Sequence, residues 1–131
     1  MKPSSYIKRA IIRRAVADQK DLEIDISQLI DDEAIELAYE KIVDEDIHWD
    51  YEPEFRCMGQ ETNIEPPYSR HYESKSLAFQ FGSTWIGWTY WYGGGKHGCP
   101  GEIEWIDDAY FLDCVEKEIM VIKRTFTRKE S

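Results

Sequence analysis

Three histidines (His48, His71, His97) and three cysteines (Cys57, Cys99, Cys114) are the side chains of this sequence best suited to hold a metal or attack a substrate. No CxxC or HExxH pattern occurs, and only His97-Gly98-Cys99 brings two such residues close together, so a metal site has no local signature. A thiol nucleophile needs a base beside it and an acid to orient that base. Alternate residues of an extended segment share a face, which puts His97 and Cys99 on one side of the chain. A small metal-dependent or thiol enzyme therefore requires His71, His97 and Cys99 to converge in one cleft. Asp107 and Asp108 are adjacent, so they point apart and make a poor acid/base pair. Spacing alone assigns no catalytic residue, no metal ligand and no cofactor.

The segment Gly93 to Gly101 holds five glycines and Pro100, and Lys96 within it could neutralise a phosphate oxygen. A Walker loop needs Ser or Thr after its lysine, but His97 stands there. A dinucleotide fingerprint needs a helix next, but Pro100-Gly101 follow. The segment is expected to be a surface turn with Lys96 and His97 exposed. Upstream, the run Trp85 to Tyr92 is rich in Trp and Tyr, residues that anchor protein partners. Tyr90 and Tyr92, nearest the loop, are the rings expected to be accessible, and Ser69-Arg70-His71-Tyr72 forms a second polar-aromatic cluster.

Charge is distributed in blocks. Residues 1–20 hold six Lys or Arg and one Asp, whereas residues 21–54 hold fourteen Asp or Glu and the single base Lys41, in a chain of net charge −10. Such a field repels phosphates, disfavouring direct nucleic-acid binding, and attracts a basic surface on another protein. Asp32, Glu36 and Glu40 recur at four-residue spacing, with Glu33 and Asp44 beside them, so they are expected on the outer face of one helix.

The elements that must position these groups are read from periodicity. Tyr6, Ile7, Ala10, Ile11, Arg14 and Ala15 predict a helix over 6–18, started by Ser4 or Ser5. Leu22, Ile24 and Ile26 alternate with acids as a short strand would. Leu29, Ile30, Ile35, Ala38, Tyr39, Ile42 and Val43 predict a second helix over 28–45, capped by Ser27 or Asp31. Pro53, Gly59, Pro66 and Pro67 point to a strand at 48–57 and then a long loop. Residues 77–92 read as strand, broken at Gly82-Ser83, with Gly82 as a bulge and Gly87 as a close approach. A hairpin of 109–115 and 119–127 is expected last, turning at Glu116-Lys117-Glu118. The fold expected is α+β, one domain over 1–131, with N-terminal helices on an antiparallel sheet of three to five strands.

Apolar residues are 42% and aromatics 14% of the chain, too many for a disordered polypeptide. No apolar run approaches the roughly 20 residues of a membrane helix, and Lys8, Arg9, Arg13 and Arg14 interrupt the N-terminal pattern, so no secretory leader is read there. An odd number of unpaired cysteines fits reduced thiols and a cytoplasmic setting. Tyr68-Ser69-Arg70-His71-Tyr72-Glu73, Gly87 to Gly98 and Asp108-Ala109-Tyr110 together resemble a group of small bacteriophage and prophage proteins over residues 48–127. The resemblance implies a setting, a bacterial host cell during infection or lysogeny, and no catalytic residue. The combined expectation is a non-enzymatic phage or mobile-element accessory protein. It would bind and inhibit a host protein with a basic surface, by acidic mimicry of nucleic acid. Asp32, Glu33, Glu36, Glu40, Asp44, Tyr90, Tyr92, Lys96 and His97 would form its contact set, and open sheet edges would allow a homodimer. An immunity or antitoxin-type protein is the further alternative.

Overall fold

The computed structural model describes residues 1–130. Helices α1 (Pro3–Asp18), α2 (Asp32–Asp44) and α3 (Glu52–Cys57) precede strands β1 (Gln60–Glu61), β2 (Glu73–Phe81), β3 (Thr84–Tyr92) and β4 (Tyr110–Leu112). All neighbouring strands pair antiparallel in the order β1-β2-β3-β4. The expected α+β architecture, N-terminal helices with an antiparallel sheet, is the one observed.

Helix α1 begins with Pro3 in its first turn, where a missing N–H is harmless. Its start lies upstream of the expected one, so Ser4 and Ser5 sit inside the helix and are buried rather than capping it. Ile7, Ile11, Ile12 and Ala15 form its buried stripe. Helix α2 is capped by Asp31, whose carboxylate accepts the Ala34 N–H at 2.8 Å, and it buries Ile35, Tyr39 and Ile42. It starts at Asp32 and not at residue 28, so Ile30 falls outside the helical period and is 73% exposed.

Three expected strands are corrected. Leu22 to Ile26 joins no ladder, and Ile26–Gln28 makes a single 3₁₀ turn. Residues 48–57 are a 3₁₀ turn followed by α3. Pro53 stands in the first turn of α3, with Glu52 and Glu54 at its start and Arg56 near its end, a position and polarity that favour a helix. Of the C-terminal hairpin only β4 forms, and residues 113–130 are neither helix nor strand. Glu116-Lys117-Glu118 lacks the Gly or Asn that tight hairpin turns favour.

Strands β2 and β3 make the central hairpin, in register from Glu73↔Tyr92 to Phe81↔Thr84. That register leaves Gly82-Ser83 as a two-residue turn and not a bulge, with Gly82 at φ 63°, as the first position of a type II′ turn requires. Gly87 is the close approach expected, since a Cβ there would lie 2.6 Å from the Tyr110 ring. Leu77, Ile86 and Trp88 join Ile7, Ile11, Ile35 and Ile42 in one cluster of buried side chains. Buried Ser76 and Ala78 alternate onto the opposite face of the sheet. There, Ile64, Glu65 and Pro67 line a cleft with Thr89 and Trp91. No helix among the described residues is long and apolar enough to cross a membrane.

Candidate functional site

The basic and acidic blocks of the sequence meet between α1 and α2. Lys8 is 6% exposed, and its ammonium donates to both Glu36 oxygens at 3.0 and 2.9 Å and to Asp107 Oδ1 at 3.2 Å. Burial pulls the Lys8 pKa down, but the hydrogen bonds and charges of Glu36 and Asp107 outweigh it and leave the pKa above its ordinary value. Asp32 Oδ1 accepts the Ser5 hydroxyl at 2.6 Å and the Lys2 N–H at 3.0 Å. Those bonds, the Ser5 one first, hold its carboxyl below the usual range. Asp32 and Glu36 thus face α1, not the outer side expected for them. The geometric reason is that α1 packs along that flank and brings Ser5 and Lys8 to it.

Glu33, Leu37, Glu40 and Asp44 form the outer stripe of α2, all exposed at the spacing that puts residues on one helix face. Leu37 is 62% exposed in the middle of the carboxylates, and Ile30 lies just before the helix start. Lys41, the one base in this part of the chain, donates to the Glu23 carbonyl at 3.2 Å. No ion pair among the described residues involves Glu33, Glu40 or Asp44.

A second group forms where β3 runs into the glycine loop. Tyr90 and Tyr92 share a face of β3 and stack with ring centroids 5.6 Å apart. Both are half-buried, because the Arg56 guanidinium lies over Tyr90 at 4.7 Å and the Lys75 ammonium over Tyr92 at 5.4 Å. Arg56 also donates to the Trp91 carbonyl at 2.5 Å. Lys96 and His97 are exposed, as expected of a surface loop. The loop is pinned by Tyr72, whose hydroxyl donates to the His97 carbonyl at 2.7 Å. The Tyr72 ring also packs against Gly94, where a Cβ would come within 2.4 Å of it.

His71 and His97 do converge, with ring centroids 3.8 Å apart and planes tilted by 30°. Rings stacked in this way meet by their faces, whereas a shared metal needs ring nitrogens aimed at one point. Among the described residues, no group of three or more His, Cys, Asp or Glu is placed to hold a metal ion. Cys99 is exposed and lies on the side of Gly101 that also faces Arg56. His48 stands apart, beside Trp49, with a buried Nδ1 that has no partner among the described residues.

Scans against protein-family models, curated proteins and solved structures return no match to this chain. Its own geometry is therefore what bears on function. Periodicity missed Leu37 as a surface residue, although a signal existed: it is the one leucine of α2 off the apolar stripe. Arg56 and Lys75 carry no comparable mark, because only pairing of β2 with β3 and packing of α3 bring them to Tyr90 and Tyr92.

Proposed function

We propose that this protein is a non-enzymatic binding protein that uses the outer face of α2 to occupy a basic surface on a host protein. The observation that carries the reading is Leu37, 62% exposed among Glu33, Glu40 and Asp44. Three carboxylates without compensating bases steer a cationic surface toward the helix. An apolar side chain at their centre supplies contact area that becomes dry on docking. Carboxylates in a row present negative charge as a phosphate backbone does, which supports acidic mimicry of nucleic acid as the means of competition. The phage-like resemblance supports a bacterial cell under infection as the setting. Of the acids in the contact set expected from sequence, Glu33, Glu40 and Asp44 stay in the proposed face, whereas Asp32 and Glu36 leave it because they already bond within the chain.

The test is capture from host lysate by the wild-type chain and by the full-length triple variant Glu33→Lys, Glu40→Lys, Asp44→Lys, with folding checked by circular dichroism. A specific basic protein retained by the wild type, lost by the variant and released by salt is the expected result. Equal capture by both removes the reading.

The closeness of His71 to His97, not the face-to-face stacking, is what speaks for a second reading, a metal-dependent or thiol enzyme that also uses Cys99. Elemental analysis that finds no metal, together with a Cys99 that alkylates no faster than a free thiol, disposes of it.

A further inference from the structure

The longest run of highly exposed apolar side chains lies in the C-terminal segment. Val115, Ile119, Met120, Val121, Ile122 and Phe126 are each between 78% and 97% exposed. Such a run on an otherwise folded chain marks an interaction segment. It is also basic: residues 117–129 hold five Lys or Arg and one Glu, in a chain of net charge −10. The outer face of α2 has the opposite character, with apolar Leu37 among the acids Glu33, Glu40 and Asp44 and exposed Ile30 just before the helix start. Apolar residues match apolar residues, and base matches acid.

The segment does not start beside its own α2. It leaves β4 at Asp113, and Asp113, Cys114 and Val115 line a groove with Thr62, Ile64, Ala78 and Trp85. Trp85 and Ala78 belong to the sheet face opposite Ile86 and Leu77, which pack in the cluster shared with α1 and α2. The sheet therefore stands between the root of the segment and the same chain's α2. The α2 of another molecule has no such obstacle, and reciprocal exchange closes as a symmetric pair.

We propose that the segment Ile119–Lys129 of one copy docks on the outer face of α2 of a second copy, making a reciprocal dimer that covers the partner-binding face. This rests on the reading of α2 as the recognition surface, and it deepens it: the chain carries its own basic-apolar ligand, which an outside partner must displace. Dimerisation and partner capture then compete for Leu37, Glu33, Glu40 and Asp44.

Charge reversal tests this in the full chain. Three variants are weighed by light scattering and sedimentation: a tail variant (Lys123→Glu, Arg124→Glu, Arg128→Glu, Lys129→Glu), the α2 variant (Glu33→Lys, Glu40→Lys, Asp44→Lys) and their combination. Every substituted side chain is exposed, so folding should survive. The wild type should dimerise, with Kd weakened at least about tenfold between about 50 and 500 mM salt. Each single-surface variant should be monomeric, and the combination should recover the dimer. Hydrogen exchange on the wild type at low and high concentration gives a mutation-free readout, with slowing at residues 119–129 and in α2 together.

A wild type that stays monomeric up to about 1 mM protein, a dimer indifferent to both reversals, or a combination that stays monomeric overturns the proposal. Failure here is separable from failure of the functional reading. If the tail variant captures a basic partner through α2 while the wild type never dimerises, only this inference falls. If reversal and rescue succeed but α2 reversal leaves capture unchanged, only the functional reading falls.

Discussion

Lys8 shows how one side chain decides what the charge pattern means. Its ammonium joins α1 to Glu36 of α2 and to Asp107 before β4, and its alkyl stem lies in the helix interface. Replacing it with Met keeps the stem but leaves two carboxylates without their cation. Because Glu36 and Asp107 are partly solvated, the loss should be about 1–2 kcal/mol in urea denaturation, below the figure for a fully buried pair. Its folded-state pKa is raised above 10.5, so the stabilisation is complete below that value and is lost as pH rises through the raised one. Lys8→Met should therefore flatten the alkaline limb of a stability profile. Asp32 works in the other direction. Its pKa is depressed below 3.8 by Ser5 and Lys2, so its contribution is present above 3.8 and is lost as pH falls through the depressed value. Asp32→Asn should reduce the acid sensitivity of unfolding in that range, and an unchanged acid limb would show that the Ser5 bond is absent in solution.

Among the elements, β4 and the glycine loop depend on contacts that only glycine allows. A Cβ on Gly87 would meet both Tyr110 and Leu112, at 2.6 and 2.8 Å, so Gly87→Val should free β4 from β3 while the β2–β3 hairpin persists. Hydrogen exchange should then quicken at Tyr110 to Leu112 and not at Leu77 or Trp88. Gly94 is at φ 89° and lies against the Tyr72 ring. Gly94→Ala should cost about 1–3 kcal/mol from backbone strain and displacement of Tyr72. By contrast, Lys96→Ala and His97→Ala should each cost under about 1 kcal/mol, because both side chains are exposed and Tyr72 uses the His97 carbonyl. The first two helices were legible because burial of Ile7, Ile11, Ile35 and Ile42 follows the 3.6-residue period. Helix α3 was not, since it is six residues long and its Pro53 reads as a breaker until its place in the first turn is known.

Across the whole molecule, Cys57, Cys99 and Cys114 are free and exposed. All three should react with a thiol reagent in the native, unreduced protein, and a count of one would reveal a disulfide. The candidate site was legible as composition and not as geometry. The acids of residues 31–44 were visible, but which of them remain for a partner depended on α1, thirty residues away in the case of Lys2 and Asp32. The convergence of His71 with His97 was likewise an open condition that strand pairing met.

What the sequence determined by itself was local: the helical and alternating periods, a break at Gly82-Ser83, the close approach at Gly87, and the separation of charge into blocks. Each follows from steric and hydrophobic preferences acting over a few residues. The tertiary structure decided everything that depends on a distant neighbour. It turned Asp32 and Glu36 inward to Ser5 and Lys8, left Glu33, Leu37, Glu40 and Asp44 outward, and kept residues 113–130 off the sheet. The physical reason is that a carboxylate or an apolar side chain has no intrinsic direction. Whether it is paired, buried or presented is set by which surface packs against it, and periodicity along the chain does not contain that surface.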